Sequence, residues 1–304
     1  MSLNFIMKTL ALVTSASSLP IDFDMPLLLQ ACRTLGLQAE VCDWEDPAVA
    51  WNRFDAAVLR SPWNYVDALP AFMSWCDRVA GMTRLFNPPR VARWSLDKRY
   101  LADLARRGVP VVPSGFVAPN QDAQTALHRF LQQQPGAAEL VVKPTVGAYS
   151  RDVQRFPRDA ADRALAYVQL LQGRGQHVIL QPYLRAIERD GETNLAFFDG
   201  HYSHAIRKSA MLMADGTVHV PTQDLRQARH ADAAEQAVAS AALRAAAAQL
   251  ELEEPLLYAR VDLIRGDDGQ PMVLELEICE PSLNLPFAEG SALRFAQAMA
   301  RRMG

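Results

Sequence analysis

The chain has 304 residues, half of them hydrophobic, and its 31 basic and 34 acidic residues give a formal net charge of −3. This composition predicts a globular protein with a large core and about two domains. The sequence has no long basic run and no stretch near the ~20 apolar residues of a membrane span, which argues against nucleic-acid and membrane partners. Four scattered cysteines without a CxxC pair argue against a zinc cluster or a disulfide framework and favour a cytoplasmic setting.

The first ninety residues alternate short apolar strands with helical patterns: TLALVTS, a helix from Met25 to Leu35, LQAEVCDW, FDAAVLRSPWNY, and a helix from Phe72 to Val79. This alternation predicts a parallel α/β domain over residues 1–90. Lys8 with TLALVTSAS is also similar to a short signal peptide, but the loop and helix that follow favour a strand. Arg60 follows the strand AAVL and is a candidate for binding a carboxylate, with an ordinary surface arginine as the alternative.

A boundary is predicted at Asn87-Pro88-Pro89, because paired prolines interrupt both helices and strand ladders. The apolar spacing beyond it predicts an amphipathic helix from Ser95 to Arg107 that carries Lys98. A second unit over residues 91–184 is expected to contain the strands VPVVPSGFV, ELVVKP, VQRF and HVILQPY, with a helix between Ala160 and Leu171.

The third unit, residues 185–304, is predicted to begin its sheet at Asp190-Gly191-Glu192 and to continue through NLAFFDGHYSHAIRK. Asp199-Gly200 is a strong signal for a hairpin turn within that run. An alanine-rich helix is expected around residues 228–250 because alanine has the highest helix propensity. The predicted fold class is therefore a parallel α/β domain followed by α+β units.

Charged residues recur on two neighbouring strands near the C-terminus, YARVDLI and MVLELEI, separated by the turn-forming RGDDGQP. Because strand side chains alternate between faces, Arg260 and Asp262 lie on the same face of the first strand. Glu275 and Glu277 likewise lie on the same face of the second strand. In an antiparallel hairpin these groups would converge, and three carboxylates would then need a cation such as Mg²⁺. A solvated acidic hairpin is the alternative. The small and polar residues 279–284 that follow predict the floor of a site.

Lys143 ends the strand ELVV, directly before the small-residue turn 144–151. An ammonium group beside such a turn is well placed to bind phosphate together with backbone N–H groups. Lys98 is a second candidate. Either lysine taken alone is more typical of an exposed surface position than of a site.

Five segments taken in order resemble the ATP-grasp superfamily, in particular its glutathione-synthetase-like and D-alanine ligase-like members: LDKRYL, VVKPTVGAYSRDV, ILQPYLRAIERDGETNLAFFDGHYSHAIRK, YARVDLI and VLELEICEPS. The resemblance covers about residues 87–285, and RSPWNY and DKRYL are similar to strings of the cycloserine-forming (O-ureido-serine) cyclo-ligase subgroup. It implies an ATP-grasp fold with residues 1–90 as a pre-ATP-grasp domain. It further implies an ADP-forming carboxylate–amine ligase that acts through an acyl phosphate on a small amino-acid-like substrate.

The resemblance also assigns roles to individual residues. It implies that Lys98 and Lys143 contact the nucleotide phosphates under a flap from Thr145 to Arg151 that includes Ser150. It implies adenine contacts for Gln181, Tyr183 and Leu184. The ribose is expected to contact Glu192 or, as a second choice, Glu188. It implies that Mg²⁺, with Mn²⁺ as an alternative, is bound by Asp262, Glu275 and Glu277, the last standing where many relatives have asparagine. It implies that the transferred phosphoryl group or the acyl phosphate is stabilised by Arg260, Arg207 and Lys208.

Two departures from the family pattern concern the flap and the segment after Lys208. The flap has one glycine, Gly147, and a bulky Tyr149, whereas SAMLMADGTVHVPTQDLRQ lacks the expected glycine-rich, arginine-bearing stretch. The identities of the small-molecule carboxylate and amine therefore stay undetermined, as does the oligomeric state, with a homodimer as one alternative. A small-molecule kinase on the same scaffold and a nucleotide-binding regulator without turnover are the competing functions.

Overall fold

The computed structural model describes residues 8–148, 151–213, 217 and 223–304. The N-terminal part of the chain forms a four-stranded parallel sheet of order β2-β1-β3-β4. Its elements are β1 (Thr9–Thr14), α1 (Met25–Thr34), β2 (Gln38–Asp43), β3 (Ala56–Ser61), α2 (Leu69–Ala80) and β4 (Arg84–Phe86). Strand β3 is buried throughout and β1 almost so, because parallel sheets are covered on both faces. The predicted parallel α/β domain is confirmed.

The paired prolines begin a helix here. Pro89 is the first residue of α3 (Pro89–Ser95), a position where the missing N–H costs no helical hydrogen bond. The prediction of one helix from Ser95 to Arg107 is wrong at its start, because the chain turns at residues 96–99 before α4 (Tyr100–Arg106) begins. Lys98 thus lies in a turn, and its backbone N–H donates to the Thr145 carbonyl at 2.8 Å.

The second sheet is antiparallel, of order β5-β8-β6-β7. Its elements are β5 (Gly115–Val117), α5 (Ala123–Gln133), β6 (Glu139–Pro144), β7 (Gln154–Pro157), α6 (Ala161–Gly173) and β8 (Val178–Pro182), with α7 (Ala186–Asp190) after it. Only residues 115–117 of the predicted strand VPVVPSGFV are extended in the sheet. Helix α5 adds to the predicted elements, and the Asp122 carboxylate caps it by accepting from the Thr125 N–H at 2.7 Å.

The third sheet is antiparallel, of order β11-β10-β9-β12-β13. Its elements are β9 (Glu192–Phe198), β10 (His201–Lys208), β11 (Arg226–Arg229), α8 (Ala233–Gln249), β12 (Tyr258–Arg265), β13 (Pro271–Glu277) and finally α9 (Ser291–Met303). The predicted turn at Asp199-Gly200 is confirmed, with both residues at positive φ. The alanine-rich helix starts later than predicted, because residues 226–229 pair with β10 and a capping box of Asp232 and Glu235 sets the helix start.

The first and third sheets share one hydrophobic core, to which Leu10, Phe198, Tyr258 and Phe295 all contribute. Helix α9 packs on α1, and the Asn87 side chain donates to the carbonyls of Tyr258 and Ile278 at 3.0 and 2.7 Å. The parallel sheet is thereby anchored to the β12–β13 hairpin. The proposed domain boundaries at residues 90 and 184 stay predictions. Within the described ranges, no helix has both the length and the apolar character needed to cross a membrane.

Candidate active site

The β12–β13 hairpin brings four charged side chains together. In the register of the two strands, Arg260 lies opposite Glu277, and Asp262 lies opposite Glu275. One carboxylate oxygen from each of Asp262, Glu275 and Glu277 lies within 4.8 Å of the others. The predicted hairpin and the convergence of its charges are confirmed.

Three cations surround these carboxylates. The Arg260 guanidinium donates from Nε and Nη2 to the two Asp262 oxygens, each at 2.7 Å, and also contacts Glu277. The Lys143 ammonium donates to Glu275 at 2.8 Å, and Lys98 Nζ lies 3.9 Å from the same carboxylate. Burial alone would raise the pKa of Glu275, but the two lysines hold that pKa well below its usual range.

Glu277 is the carboxylate of this cluster that is hardest to keep charged. Burial, together with repulsion from Asp262 and Glu275, raises the pKa of Glu277 to about 8 although Arg260 opposes the shift. A divalent cation would remove this repulsion, and three carboxylates supply the hard oxygen donors that Mg²⁺ prefers. The residues present therefore fit a magnesium ion.

The hairpin lies against a cavity of about 940 Å³. The side chains that line it come from the second and third sheets, from loops of the N-terminal domain that include Trp63 and Tyr65, and from the turn before α4. Among the predicted site residues, those that line the cavity are Lys98, Lys143, Gln181, Tyr183, Leu184, Glu192, Lys208, Arg260, Glu275 and Glu277. Asp262 is buried beneath Arg260. Ser150 and Tyr149 of the flap lie outside the described residues.

Tyr183 lines one wall of the cavity, and the side chain of Arg155 stacks against its ring. The Arg155 guanidinium lies 3.4 Å from the centre of the Tyr183 ring and donates to both Glu139 oxygens, at 2.8 and 2.6 Å. Glu188 accepts from Arg155 at 2.9 Å and from the Tyr183 hydroxyl at 3.1 Å. The Gln181 amide beside them donates to the Ser114 hydroxyl at 3.0 Å. Glu188 is thus engaged in holding the wall, whereas Glu192 faces the cavity.

Strand β10 presents only one of its two predicted catalytic residues to the cavity. Lys208 forms an ion pair with Glu192 at 2.7 Å. Burial alone would lower the pKa of Lys208, but Glu192 and Asp262 raise it, so the ammonium stays charged. Arg207 points to the other face, because strand side chains alternate, and donates to the carbonyls of Asp190 and Arg189 at 2.7 and 2.9 Å. The structure therefore does not bring Arg207 into the site.

Arg226 is a cavity residue absent from the sequence-based predictions. Arg226 on β11 lies opposite Lys208 on β10 in the strand register, and its guanidinium lies 5.0 Å from the centre of the Phe23 ring. Burial, and then the nearby Arg260, lower its pKa. The segment after Lys208, which lacks the glycine-rich stretch expected from the resemblance, thus still brings one arginine to the cavity. The available signal is that Arg226 is the sole arginine between residues 209 and 227.

The loop after β13 is held by a fully buried ion pair. Arg60 Nη2 lies 3.3 Å from the Asp24 carboxylate, and Arg60 Nη1 donates to the Pro281 carbonyl at 3.1 Å. Asp24 in turn accepts from the backbone N–H groups of Leu283, Asn284 and Leu285 at 2.6, 3.2 and 2.7 Å. The fully buried Arg60 therefore binds the protein's own carboxylate rather than that of a ligand, for which it was a candidate. The surface alternative is wrong.

This loop reaches the cavity as the predicted site floor. Glu280 and Ser282 line it, and Arg260 Nη1 donates to the Ser282 carbonyl at 2.8 Å. The parallel sheet thus positions the loop through Asp24, and the loop in turn positions Arg260.

Comparison with known proteins agrees with this architecture. Residues 10–87 match the family model described as D-cycloserine synthetase DcsG, N-terminal domain. The chain is 60% identical over 297 residues to the cycloserine biosynthesis protein DcsG of Streptomyces lavendulae, which covers 98% of this chain and 99% of that protein.

Two solved structures extend the comparison. The crystal structure of D-cycloserine synthetase DcsG superposes with a TM-score of 0.94 at 60% identity, covering 97% of this chain and 100% of that one. The ATP-grasp ligase PsnB, complexed with a phosphomimetic variant of its minimal precursor, Mg and ADP, gives a TM-score of 0.67 at 16% identity, covering 97% and 98%. The second likeness shows the fold alone.

The predicted fold and reaction class are confirmed together. The chain belongs to the DcsG family, it has the ATP-grasp fold, and it is an ATP-dependent carboxylate–amine ligase that acts on a small substrate.

Proposed function

We propose that this ligase forms cycloserine by closing the ring of O-ureido-serine. The carboxylate is activated as an acyl phosphate, and the nitrogen attached to the side-chain oxygen of the same molecule then attacks the acyl carbon. The observation that carries this proposal is the 60% identity to the cycloserine biosynthesis protein over 98% of the chain. The convergence of Lys143, Arg260 and the hairpin carboxylates at one cavity supports it.

The proposed reaction balances. The carboxylate oxygen attacks the γ-phosphorus of ATP and ADP leaves, so one carboxylate oxygen becomes the bridge to phosphate. Ring closure forms the C–N bond and expels that oxygen with inorganic phosphate. The carbamoyl group departs with one water as carbon dioxide and ammonia. Each turnover thus gives one ADP, one phosphate and one ring.

The nucleotide would lie along the wall formed by β8. Gln181, Tyr183 and Leu184 would contact adenine, and Glu192 would bind the ribose hydroxyls, since Glu192 lines the cavity and Glu188 is not among its lining residues. Lys98 and Lys143 would bind the phosphates, because both ammonium groups already face a carboxylate that a metal would take over. Asp262, Glu275 and Glu277 would hold Mg²⁺, or Mn²⁺ as an alternative, and the bound ion would neutralise phosphate charge.

The cationic residues at the hairpin end would stabilise the reacting groups. A carboxylate that attacks a phosphate meets an anion, so fixed positive charges lower the barrier most effectively when they are already in place. Arg260 is held by Asp262 and by the Ser282 carbonyl, and Lys208 by Glu192. Arg226 completes this set, in place of Arg207. Exclusion of water from the cavity would also protect the acyl phosphate.

We further propose a cytoplasmic setting and freely diffusing small-molecule substrates. The four cysteines are buried free thiols, which suits a reducing compartment. A homodimer stays a prediction that light scattering on the purified protein would test.

The test is a product assay with Mg·ATP and O-ureido-serine. We expect ADP and inorganic phosphate in equal amounts, a cyclised product by mass spectrometry, and a hydroxamate when hydroxylamine is added. Lys143→Met should abolish all three, whereas Glu289→Gln, at an exposed position, should change none of them.

Other outcomes favour the competing functions. A kinase would release ADP without phosphate and would leave a phosphorylated product. A regulator would bind ATP without releasing ADP. Either result overturns the proposal.

A further inference from the structure

One carboxyl group that lines the cavity, Glu280, has no part in the steps above. It follows Glu277 by three residues on the loop held by Asp24. Asp262, Glu275 and Glu277 each form ion pairs with arginine or lysine, whereas Glu280 forms none within the described residues. It is also not part of the three-carboxylate cluster that could hold a metal.

The neighbours of Glu280 orient it without neutralising it. The Trp63 indole N–H donates to the Glu280 backbone carbonyl at 2.8 Å and fixes the loop at this point. The Tyr65 phenol and the Cys279 thiol lie beside the carboxyl group and act as neutral donors. Lys98, whose charge lowers the pKa of Glu280, is engaged with the Gly147 carbonyl at 3.1 Å and with Glu275. Burial raises the pKa of Glu280 because this environment supplies no counter-charge in contact with it.

Such an environment fits a ligand that brings its own positive charge. An ammonium group would restore the lost solvation of the carboxylate through a charge-assisted hydrogen bond. Arg260 and Arg226, which line the same cavity, are cations suited to a carboxylate or an acyl phosphate. The cavity therefore offers opposite charges to the two ends of a zwitterion.

On the basis of the proposed function, we propose that Glu280 binds the α-ammonium group of the substrate and so makes the enzyme specific for amino acids. The contact would also turn the substrate so that its carboxylate faces Arg260 and the γ-phosphate. Tyr65 and Trp63 would position Glu280 and form the wall of this subsite.

The test combines a variant with a substrate change. Glu280→Gln keeps the shape of the side chain and removes its charge, and the matching substrate is the same O-ureido acid with hydrogen in place of the α-amino group. For the unaltered enzyme we expect kcat/KM to be about 100-fold lower with the deamino acid, the size of a lost hydrogen bond between charged groups. Glu280→Gln should lose about 100-fold on the amino acid and should no longer distinguish the two acids.

Controls separate binding of the ammonium from other roles. The KM for Mg·ATP should be unchanged in Glu280→Gln, and Glu289→Gln should behave as the unaltered enzyme. If Glu280→Gln does not fold, Glu280→Asp, which retains the charge, should keep a preference for the amino acid.

Three results would overturn the inference or its basis. A Glu280→Gln enzyme that still prefers the amino acid about 100-fold refutes ammonium binding. A loss that is equal for both acids, with an altered pH profile, would instead assign Glu280 a role as a base. If the unaltered enzyme turns over neither acid but uses another substrate, the proposed function itself fails.

Discussion

Replacing Glu275 with glutamine tests the charge balance of the site. Glu275 accepts from Lys143 at 2.8 Å and lies 3.9 Å from Lys98. At an effective dielectric constant of about 20, two unit charges 2.8 Å apart attract each other by about 6 kcal/mol, and desolvation offsets much of this. The substitution therefore removes a metal ligand and at the same time releases two lysines for phosphate binding.

The two effects change different quantities in opposite directions. Release of the lysines should increase ADP affinity, and loss of the metal ligand should slow turnover. Without metal, ADP should bind about tenfold more tightly to Glu275→Gln, because a net gain of about 1.4 kcal/mol from the released lysines corresponds to that factor. The increase in ADP affinity on adding Mg²⁺ should be lost. Turnover should fall at least about 1,000-fold, which corresponds to about 4 kcal/mol in the barrier.

Calorimetric titration of ADP, in EDTA and then in Mg²⁺, measures the binding terms, and phosphate release measures turnover. Glu289→Gln is the matched control because it removes the same charge from an exposed position. Turnover within about tenfold of the unaltered enzyme, or an unchanged effect of Mg²⁺ on ADP affinity, would refute the assignment of Glu275 as a metal ligand.

Three further predictions concern buried charge. Burial lowers the pKa of His204 to about 4, below the ordinary value of 6.5, so the unfolded chain takes up the proton first. The free energy of unfolding should fall by about 3 kcal/mol between pH 6.5 and 4, and urea titrations should show that His204→Gln lacks this dependence. Asp24→Asn leaves Arg60 buried without its partner and should lower the free energy of unfolding by about 3 kcal/mol; a loss below about 1 kcal/mol in a denaturant titration would contradict this. Arg226→Met should reduce kcat/KM for the amino acid about 100-fold while ADP affinity, measured by calorimetry, is unchanged; equal losses in both would show a structural role.

The hairpin at the centre of the site could be predicted from sequence because it depends only on residues close together in the chain. A period of two residues puts Arg260 and Asp262 on one face, and a short turn brings Glu275 and Glu277 opposite them. The same period also indicates that Arg207 and Lys208 cannot both face the cavity. Applying it to β10 would have left only one of them as a candidate.

Other features depend on contacts between distant parts of the chain. Lys98 reaches the site from a turn, because α3 ends at Ser95 and the Lys98 N–H is bound by the Thr145 carbonyl. Arg226 lies on a strand of four residues, too short for a periodic signal, and it becomes a site residue only through its pairing with β10. The partner of Arg60 is likewise set by tertiary structure, since no local pattern relates it to Asp24.

The contact between Asp24 and the backbone of Leu283 joins positions 259 residues apart in the chain. The parallel sheet is consequently not an exchangeable module, although it resembles one in its topology. A chimera that takes residues 1–90 from a distant relative would import a different neighbour for residues 281–285 and would misplace Arg260 without altering a single residue of the hairpin. Recombination within this family should therefore succeed only when the N-terminal sheet and the loop after β13 are inherited from the same parent.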